Sequence, residues 1–281
     1  MSFFRPIEVR GRMLGDGRVP AICVSLLAGN PQDLEDEFQS LLAARPDVVE
    51  WRADHFLAAA SPRDVADLPD KSGLLGASNL PDAANLLAVA ARLRELAGDV
   101  PLLFTLRSAR EGGVAGGLDD AQAAIVQEAA ARSAKFDLID LELAALPRLR
   151  ERVLPAARDS GTRIVLSAHD FSATPTAAEI FALLERAAAS GADVAKVAVM
   201  PRTMGDVLAL LAATERAHRE LTLPVITMAM GPLGVLSRVF GGLFGSALSF
   251  AAGRTASAPG QLPISELRAA FELVRSRSLP R

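Results

Sequence analysis

The chain has 281 residues, of which 50% are hydrophobic and 22% charged, and its formal net charge is −3. Charges of both signs are scattered along it, which argues against a nucleic-acid groove or a basic membrane-binding face. The single cysteine, Cys23, excludes an intrachain disulfide and a CxxC metal or redox motif. A lone cysteine and the absence of a signal-peptide pattern at the N-terminus favour a cytoplasmic location. The apolar stretch Val239–Gly253 is shorter than the roughly 20 residues that span a bilayer, so it predicts a buried helix and strand.

Short apolar runs alternate along the chain with segments of helical period. The predicted strands are Ala21–Leu26, Asp47–Arg52, Pro101–Leu106, Asp137–Leu143, Arg163–Ala168, Asp193–Val199, Leu223–Ala229 and Ala247–Phe250. Predicted helices between them include Asp33–Ala44, Ala84–Leu96, Ala121–Ala134, Ala177–Ser190 and Met204–Arg219. This alternation predicts a parallel sheet covered by helices. Eight units without a Gly-rich dinucleotide turn after the first strand favour a closed (β/α)₈ TIM barrel.

Two segments lie outside the eight repeating units. Ile7–Val19 contains a GDG turn between short apolar stretches, and we interpret it as a hairpin that closes the barrel floor. The connection Phe56–Val100 is long for one βα unit, and its polar composition predicts an excursion over the surface. No linker or composition shift marks a boundary, so residues 1–281 are predicted to form one domain.

The active site of such a barrel lies at the C-terminal ends of its strands. Titratable and polar residues at these predicted ends are Glu50, Arg52, Arg107, Glu111, Asp140, Glu142, Ser167 and His169. Taken by themselves, Glu50 and Arg52 are as compatible with a structural ion pair inside the barrel mouth as with a functional role. Arg107 and Glu111 are likewise compatible with an exposed loop pair. Asp140 and Glu142 are interpreted as structural charges near the rim. His169 alone is more typical of a core histidine.

Lys196 is the most informative residue of the sequence. The chain has only three lysines, Lys71, Lys135 and Lys196, and otherwise uses arginine for fixed positive charge. Lys196 lies within the apolar strand sequence DVAKVAV. A desolvated lysine can lose its proton and attack a carbonyl, which arginine does not do. With a histidine on the neighbouring strand and arginines at the same barrel end, the pattern predicts a Schiff-base site for an anionic carbonyl substrate.

Several sequence blocks resemble those of the type I 3-dehydroquinate dehydratases. They are CVSL (23–26), EWRAD (50–54), FTLRSAREGG (104–113), LSAHDF (166–171), AKVAVMP (195–201), MAMG (228–231), LSRVFG (236–241) and SAPGQLP (257–263). Their order and approximate spacing match the family over nearly the whole chain. Two differences are the length of Phe56–Val100 and a spacing from Lys196 to Arg238 about one residue shorter than the resemblance implies.

The resemblance implies a role for each matching residue. Lys196 corresponds to the Schiff-base lysine, His169 to the general acid/base and Glu111 to the carboxylate that orients this histidine. Arg238 corresponds to the arginine that holds the substrate carboxylate. The remaining implied substrate-site residues are Ser25, Glu50, Trp51, Arg52, Arg107, Met228, Met230, Phe250, Ser257, Ala258 and Gln261.

The implied reaction is the dehydration of 3-dehydroquinate to 3-dehydroshikimate, a step of the shikimate pathway. It needs neither a metal nor an organic cofactor, and the resemblance suggests a homodimer. One alternative is another Schiff-base barrel lyase of the class I aldolase type, which requires a site for phosphate or aldehyde. The other is a non-catalytic binding barrel, which is expected to have lost Lys196, His169 or Glu111.

Overall fold

The computed structural model describes residues 4–14, 19–60, 83–114, 118–145 and 147–277. A two-stranded antiparallel hairpin comes first, formed by β1 (Ile7–Val9) and β2 (Arg12–Leu14). The following eight strands form one parallel sheet: β3 (Ala21–Leu26), β4 (Val48–Arg52), β5 (Leu102–Thr105), β6 (Leu138–Glu142), β7 (Arg163–Asp170), β8 (Val194–Val199), β9 (Val225–Ala229) and β10 (Leu248–Ala251).

The eight strands form a barrel in chain order. Each strand from β3 to β9 pairs with the next, β10 returns to β3, and a bridge between Val225 and Ser246 joins the two ends of the sheet. The helices are α1 (Pro31–Ala43), α2 (Ala53–Ala60), α3 (Ala83–Ala97), α4 (Asp120–Arg132), α5 (Pro147–Ser160), α6 (Ala177–Ala189), α7 (Met204–Glu220), α8 (Val235–Phe240) and α9 (Ile264–Arg277). The predicted TIM barrel is therefore confirmed.

The strand and helix bounds agree closely with those predicted from the pattern. The main difference is β7, which continues to Asp170, so that His169 lies inside the strand and not after it. Of the predicted excursion Phe56–Val100, both ends are helical, in α2 and α3. Its middle part, residues 61–82, lies outside the described residues. No helix in the described ranges is both long and apolar enough to cross a membrane.

The N-terminal hairpin packs against the lower part of the barrel interior. Ile7, Val9 and Leu14 are buried in one cluster with apolar residues near the starts of the strands, such as Val48 and Val194. Each Å² of apolar surface removed from water stabilises the folded chain by about 25 cal/mol, so burial of these side chains favours packing of the hairpin on the barrel floor. The prediction of a hairpin at the barrel floor is confirmed, but its turn lies at Arg10 and Gly11, and the predicted GDG turn at residues 15–17 lies outside the described residues.

The period-two alternation of the strands separates two cores. Outward-facing strand residues such as Trp51 and Phe104 pack with the helices in one large apolar cluster. Inward-facing residues begin the strands as apolar side chains, and in β3 to β8 they are followed by polar ones, whereas those of β9 and β10 stay apolar. In β6 and β8 this gives Leu138 followed by Asp140, and Val194 followed by Lys196. The sequence of the strands thus builds an apolar floor beneath a polar upper layer.

Candidate active site

Lys196 lies in the polar layer at the centre of the barrel. Its residue surface is only 4% exposed, and its Nζ lies 3.0 Å from Oδ2 of Asp140. The same Nζ lies 4.7 Å from the centre of the Phe250 ring. The lysine side chain is therefore held by one carboxylate and one aromatic face, both inside the barrel.

Asp140 connects Lys196 to Arg107. Oδ1 of Asp140 lies 2.8 Å from Nη2 of Arg107 and accepts a hydrogen bond of 2.6 Å from the Ser167 hydroxyl. Asp140 is 1% exposed. Although burial alone raises the pKa of a carboxyl, Arg107 and Lys196 hold the pKa of Asp140 well below its usual range. The interpretation of Asp140 as a charge near the rim is therefore wrong in position, because the residue lies in the barrel interior and contacts the predicted reacting nitrogen.

His169 and Glu111 form a second pair in the same layer. The His169 Nδ1 lies 2.7 Å from Oε2 of Glu111. Burial lowers the pKa of His169 well below its ordinary value, and the positive charges of Arg107 and Lys196 lower it further. Burial and the nearby Glu142 raise the pKa of Glu111 to about 8. The lowered pKa of His169 favours an uncharged imidazole, which is the form able to accept a proton.

A tight turn brings Glu111 to His169. Residues 109–111 form one turn of 3₁₀-helix that ends at Gly112, whose φ is +80°. A side-chain Cβ at Gly112 would lie 2.4 Å from the Phe171 ring, which itself stacks on His169 with ring centres 6.5 Å apart. Only glycine accommodates both this backbone conformation and this close approach. Phe171 thereby forms a wall beside the His169–Glu111 pair.

Glu50 and Arg52 are both buried but have different partners. Glu50 accepts hydrogen bonds from the hydroxyls of Ser25, at 2.5 Å, and Thr105, at 2.8 Å. Arg52 forms a two-pronged pair with Asp54, at 2.8 and 2.7 Å. The structural ion pair considered between Glu50 and Arg52 is therefore not formed, because Arg52 pairs with Asp54. Arg107 and Glu111 do approach one another, at 3.6 Å.

The loop of residues 257–261 covers one side of the barrel mouth. The Ser257 backbone N–H donates to the Gln261 side chain at 2.8 Å, and the Gln261 amide donates back to the Ser257 hydroxyl at 2.9 Å. The Ser257 hydroxyl also lies 2.9 Å from that of Ser25 on β3. These bonds fix the loop over the strand ends.

Arg238 is buried just behind this loop. It is 1% exposed, and its guanidinium donates to the backbone oxygens of Phe250, at 3.3 Å, and Pro259, at 3.1 Å. Its Nε is buried without a hydrogen-bond partner, and no carboxylate pairs with it among the described residues. Burial lowers the pKa of Arg238 to about 10. A buried, unpaired guanidinium of this kind is suited to an anionic ligand.

A cavity opens at this end of the barrel. It is lined by Glu50, Arg52, Arg107, Glu111, Gly112, His169, Phe171, Lys196, Ala198, Met228, Met230, Phe250, Ser257, Ala258 and Gln261. Ser25 and Arg238 do not line it directly but contact residues that do. No cluster of three or more His, Cys, Asp or Glu suited to a metal ion occurs within the described parts of the chain.

Trp51 does not belong to this cavity, which corrects its prediction as a substrate-site residue. It follows Glu50 on β4, so its side chain points to the opposite face of the strand. There it is 1% exposed and packs against Phe56, Phe104 and Phe136, with ring centres 5.7 to 5.9 Å apart. Its place in the EWRAD block reflects packing between sheet and helices.

Sequence reasoning missed Asp54 as the partner of Arg52, and Gly112, Phe171 and Ala198 as lining residues. A period-two signal was available for Ala198, because it lies two residues after Lys196 on β8. Asp54 lies two residues after Arg52, but at the start of α2. Phe171 follows β7, and only the fold of the turn at Gly112 places its ring beside His169.

Comparisons with known proteins agree with this geometry. The family model described as "Type I 3-dehydroquinase" matches residues 22–278. A "3-dehydroquinate dehydratase" of Aromatoleum aromaticum is 39% identical over 279 residues, covering 99% of both chains. The crystal structure of 3-dehydroquinate dehydratase from Geobacillus kaustophilus superposes with a TM-score of 0.88 at 39% identity, covering 99% of this chain and 100% of that one.

A type I enzyme from Clostridium difficile, crystallised with covalently modified comenic acid, gives a TM-score of 0.84 at 33% identity, over 97% of this chain and 99% of the other. A full-length likeness in sequence and in structure, together with a family model that spans almost the whole chain, leaves one assignment. This chain belongs to the type I 3-dehydroquinate dehydratase family of hydro-lyases.

Proposed function

We propose that this protein dehydrates 3-dehydroquinate to 3-dehydroshikimate through a Schiff base on Lys196. The observation that carries the proposal is the position of Lys196 Nζ in the same cavity as the His169–Glu111 pair. An amine and an uncharged imidazole in one enclosed site supply the nucleophile and the base that this chemistry needs. The choice of 3-dehydroquinate as the substrate is supported by the family to which the chain belongs.

In the proposed reaction, the neutral amine of Lys196 attacks the C3 ketone, and loss of water gives an iminium. His169 then removes a proton from C2, which yields an enamine. The C1 hydroxyl leaves as water when His169 returns the proton. Hydrolysis of the remaining imine releases the product and restores the lysine. Acid/base help of this type contributes about 10²–10⁴-fold in rate, so the covalent step and positioning supply the rest.

We assign binding of the substrate carboxylate to Arg238. The support is its burial without a carboxylate partner among the described residues and the unpaired Nε. Glu50, Arg52 and Arg107 line the cavity as polar groups for the substrate hydroxyls. Apolar walls are assigned to Met228, Met230 and Phe250, and the closing loop to Ser257, Ala258 and Gln261, with Ser25 holding that loop by its hydroxyl.

Borohydride trapping tests the central step. The protein is incubated with 3-dehydroquinate and borohydride, digested and examined by mass spectrometry, while turnover is followed by absorbance of the conjugated enone product. We expect a reduced adduct on the Lys196 peptide, and loss of both adduct and turnover in Lys196→Ala. Lys135→Ala is the matched control, because Lys135 lies outside the cavity and should trap normally. Full turnover without an adduct would exclude the mechanism.

We also propose that the protein acts as a homodimer in the cytoplasm. The family resemblance supports the dimer, and the single, buried Cys23 fits a reducing compartment. Light scattering coupled to size-exclusion chromatography measures the mass directly. A mass equal to the chain's own 29.5 kDa at assay concentrations would contradict the dimer.

A further inference from the structure

We propose that Asp140 is a catalytic residue, the counterion that stabilises the positive charge on the Lys196 iminium. The inference rests on the dehydratase function proposed above and assigns a role within it to a residue that sequence reasoning left as a structural charge.

Both oxygens of the Asp140 carboxylate have close partners. Oδ2 lies 3.0 Å from Lys196 Nζ, which is the reacting nitrogen. Oδ1 is held by the Arg107 guanidinium at 2.8 Å and by the Ser167 hydroxyl at 2.6 Å. Because Arg107 and Ser167 bind the oxygen that Lys196 does not use, Oδ2 remains directed at Nζ when the lysine changes chemically.

Asp140 is ionised in the resting protein, because Arg107 and Lys196 outweigh its burial and keep its pKa well below the usual range, and the Arg107 contact remains while Lys196 reacts. A carboxylate this acidic is a poor proton acceptor near neutral pH. Proton transfer is left to His169, whose uncharged form is favoured. The contribution of Asp140 is therefore its fixed negative charge.

The charge at Nζ changes when the imine forms. A neutral amine, a ketone and one proton combine to give a protonated imine and one water, so that a C=N bond replaces the C=O bond. Nζ is a cation in its resting pair with Asp140, is neutral when it attacks the ketone after losing one proton, and is positive again in the protonated imine. A charge of opposite sign already fixed beside it stabilises this product and the transition state leading to it, most strongly in a buried site. The face of the Phe250 ring, 4.7 Å from Nζ, acts in the same direction.

Glu142 supplies a matched comparison. It lies two residues along the same strand, is also buried, and also pairs with Arg107, at 3.3 Å. Its other contacts are the backbone N–H and the hydroxyl of Ser108, at 2.7 and 2.6 Å. Glu142 therefore shares the Arg107 contact of Asp140, whereas the contact with Lys196 Nζ is formed by Asp140.

The test compares Asp140→Asn with Glu142→Gln, each of which removes a charge with little change of shape. We expect Asp140→Asn to lower the rate of borohydride-trapped adduct formation at saturating 3-dehydroquinate by about 100-fold, the scale of losing one electrostatic contact to a transition state. Glu142→Gln also removes a charge that raises the pKa of Glu111, so its turnover is expected to change, but adduct formation precedes proton transfer at His169 and should stay within about threefold of the wild-type rate. The dissociation constant of quinate should change little in Asp140→Asn, because quinate has an alcohol at C3 and forms no imine.

Three outcomes would overturn the proposal. One is an unchanged trapping rate in Asp140→Asn, and another is an equal loss in Glu142→Gln, which would place the effect in Arg107. If Asp140→Asn folds poorly, Asp140→Glu decides: it keeps the charge and should recover at least a tenth of the wild-type trapping rate. No recovery in a folded Asp140→Glu is the third. Absence of an adduct in the wild type would instead refute the underlying function.

Discussion

At the scale of single residues, the ionisable groups of the cavity owe their protonation states to their neighbours. An unperturbed histidine is half protonated near pH 6.5, but burial and the nearby charges of Arg107 and Lys196 lower the pKa of His169. Glu111, which contacts it at 2.7 Å, is pushed toward its uncharged form by burial and by Glu142. Because its pKa is lowered, His169 is prepared to accept a proton at the pH at which an ordinary imidazole is partly protonated.

This arrangement predicts the acidic limb of the pH–rate profile. The general base must be uncharged to act, so kcat/KM falls as pH drops through the pKa of free His169. Because that pKa is lowered, the limb should lie below about 6.5, the value of an unperturbed histidine. Measuring kcat/KM against pH in the free-enzyme regime locates it, and His169→Ala should abolish the limb together with most of the rate. A limb above the ordinary histidine value would contradict the assignment.

At the scale of structural elements, Asp54 joins two segments that carry site residues. It is fully buried at the start of α2, pairs with Arg52 at the end of β4, and accepts a hydrogen bond from the Val114 backbone N–H at 3.1 Å. Val114 follows the turn that carries Glu111. Burial alone raises the pKa of Asp54, but Arg52 outweighs this and lowers it, so the ionised pair is maintained.

Replacing Asp54 by Asn should therefore affect binding as well as stability. The change leaves the buried Arg52 without its ionic partner, and breaking a buried pair in this way costs about 3–5 kcal/mol. We expect a lower midpoint of urea unfolding and a KM raised by about tenfold or more, with a smaller effect on kcat. The exposed pair of Arg92 with Glu35 provides the control, because Glu35→Gln should change stability by less than about 1 kcal/mol. An unchanged KM in Asp54→Asn would show that Arg52 does not depend on this contact.

At the scale of the whole molecule, one continuous set of packed layers surrounds the site. The hairpin β1–β2 is buried with the barrel interior, and the helices share one apolar cluster with the outer faces of the strands. Both cores depend on the same eight strands, because successive side chains of each strand enter alternate cores. We therefore propose that the chain folds as one domain.

A one-domain barrel predicts that separate probes report the same unfolding transition. Trp51 is the single tryptophan of the chain and lies buried between β4 and the helix layer, so its fluorescence reports the barrel wall. Far-UV circular dichroism reports mainly the helices. The two midpoints in urea should coincide within error, as expected for a cooperative transition. A Trp51 transition well separated from that of the helices would indicate independent units.

The sequence by itself determined the order and bounds of the eight strands and the inward direction of the site residues, because both follow from local period and burial. It also singled out Lys196, since a lysine in an apolar strand of a lysine-poor chain is visible without a structure. The family blocks added His169, Glu111 and Arg238, which the structure places in or directly behind one cavity.

Only the tertiary structure decided which groups are partners. Asp140 and Lys196 are 56 positions apart, and their contact depends on the register of β6, β7 and β8 in the closed barrel. Likewise, their shared strand face suggested an ion pair between Arg52 and Glu50, whereas in the structure Arg52 pairs with Asp54. Period-two alternation fixes the direction of a side chain, but hydrogen bonds and ion pairs require distances across strands, and these are set when the barrel closes.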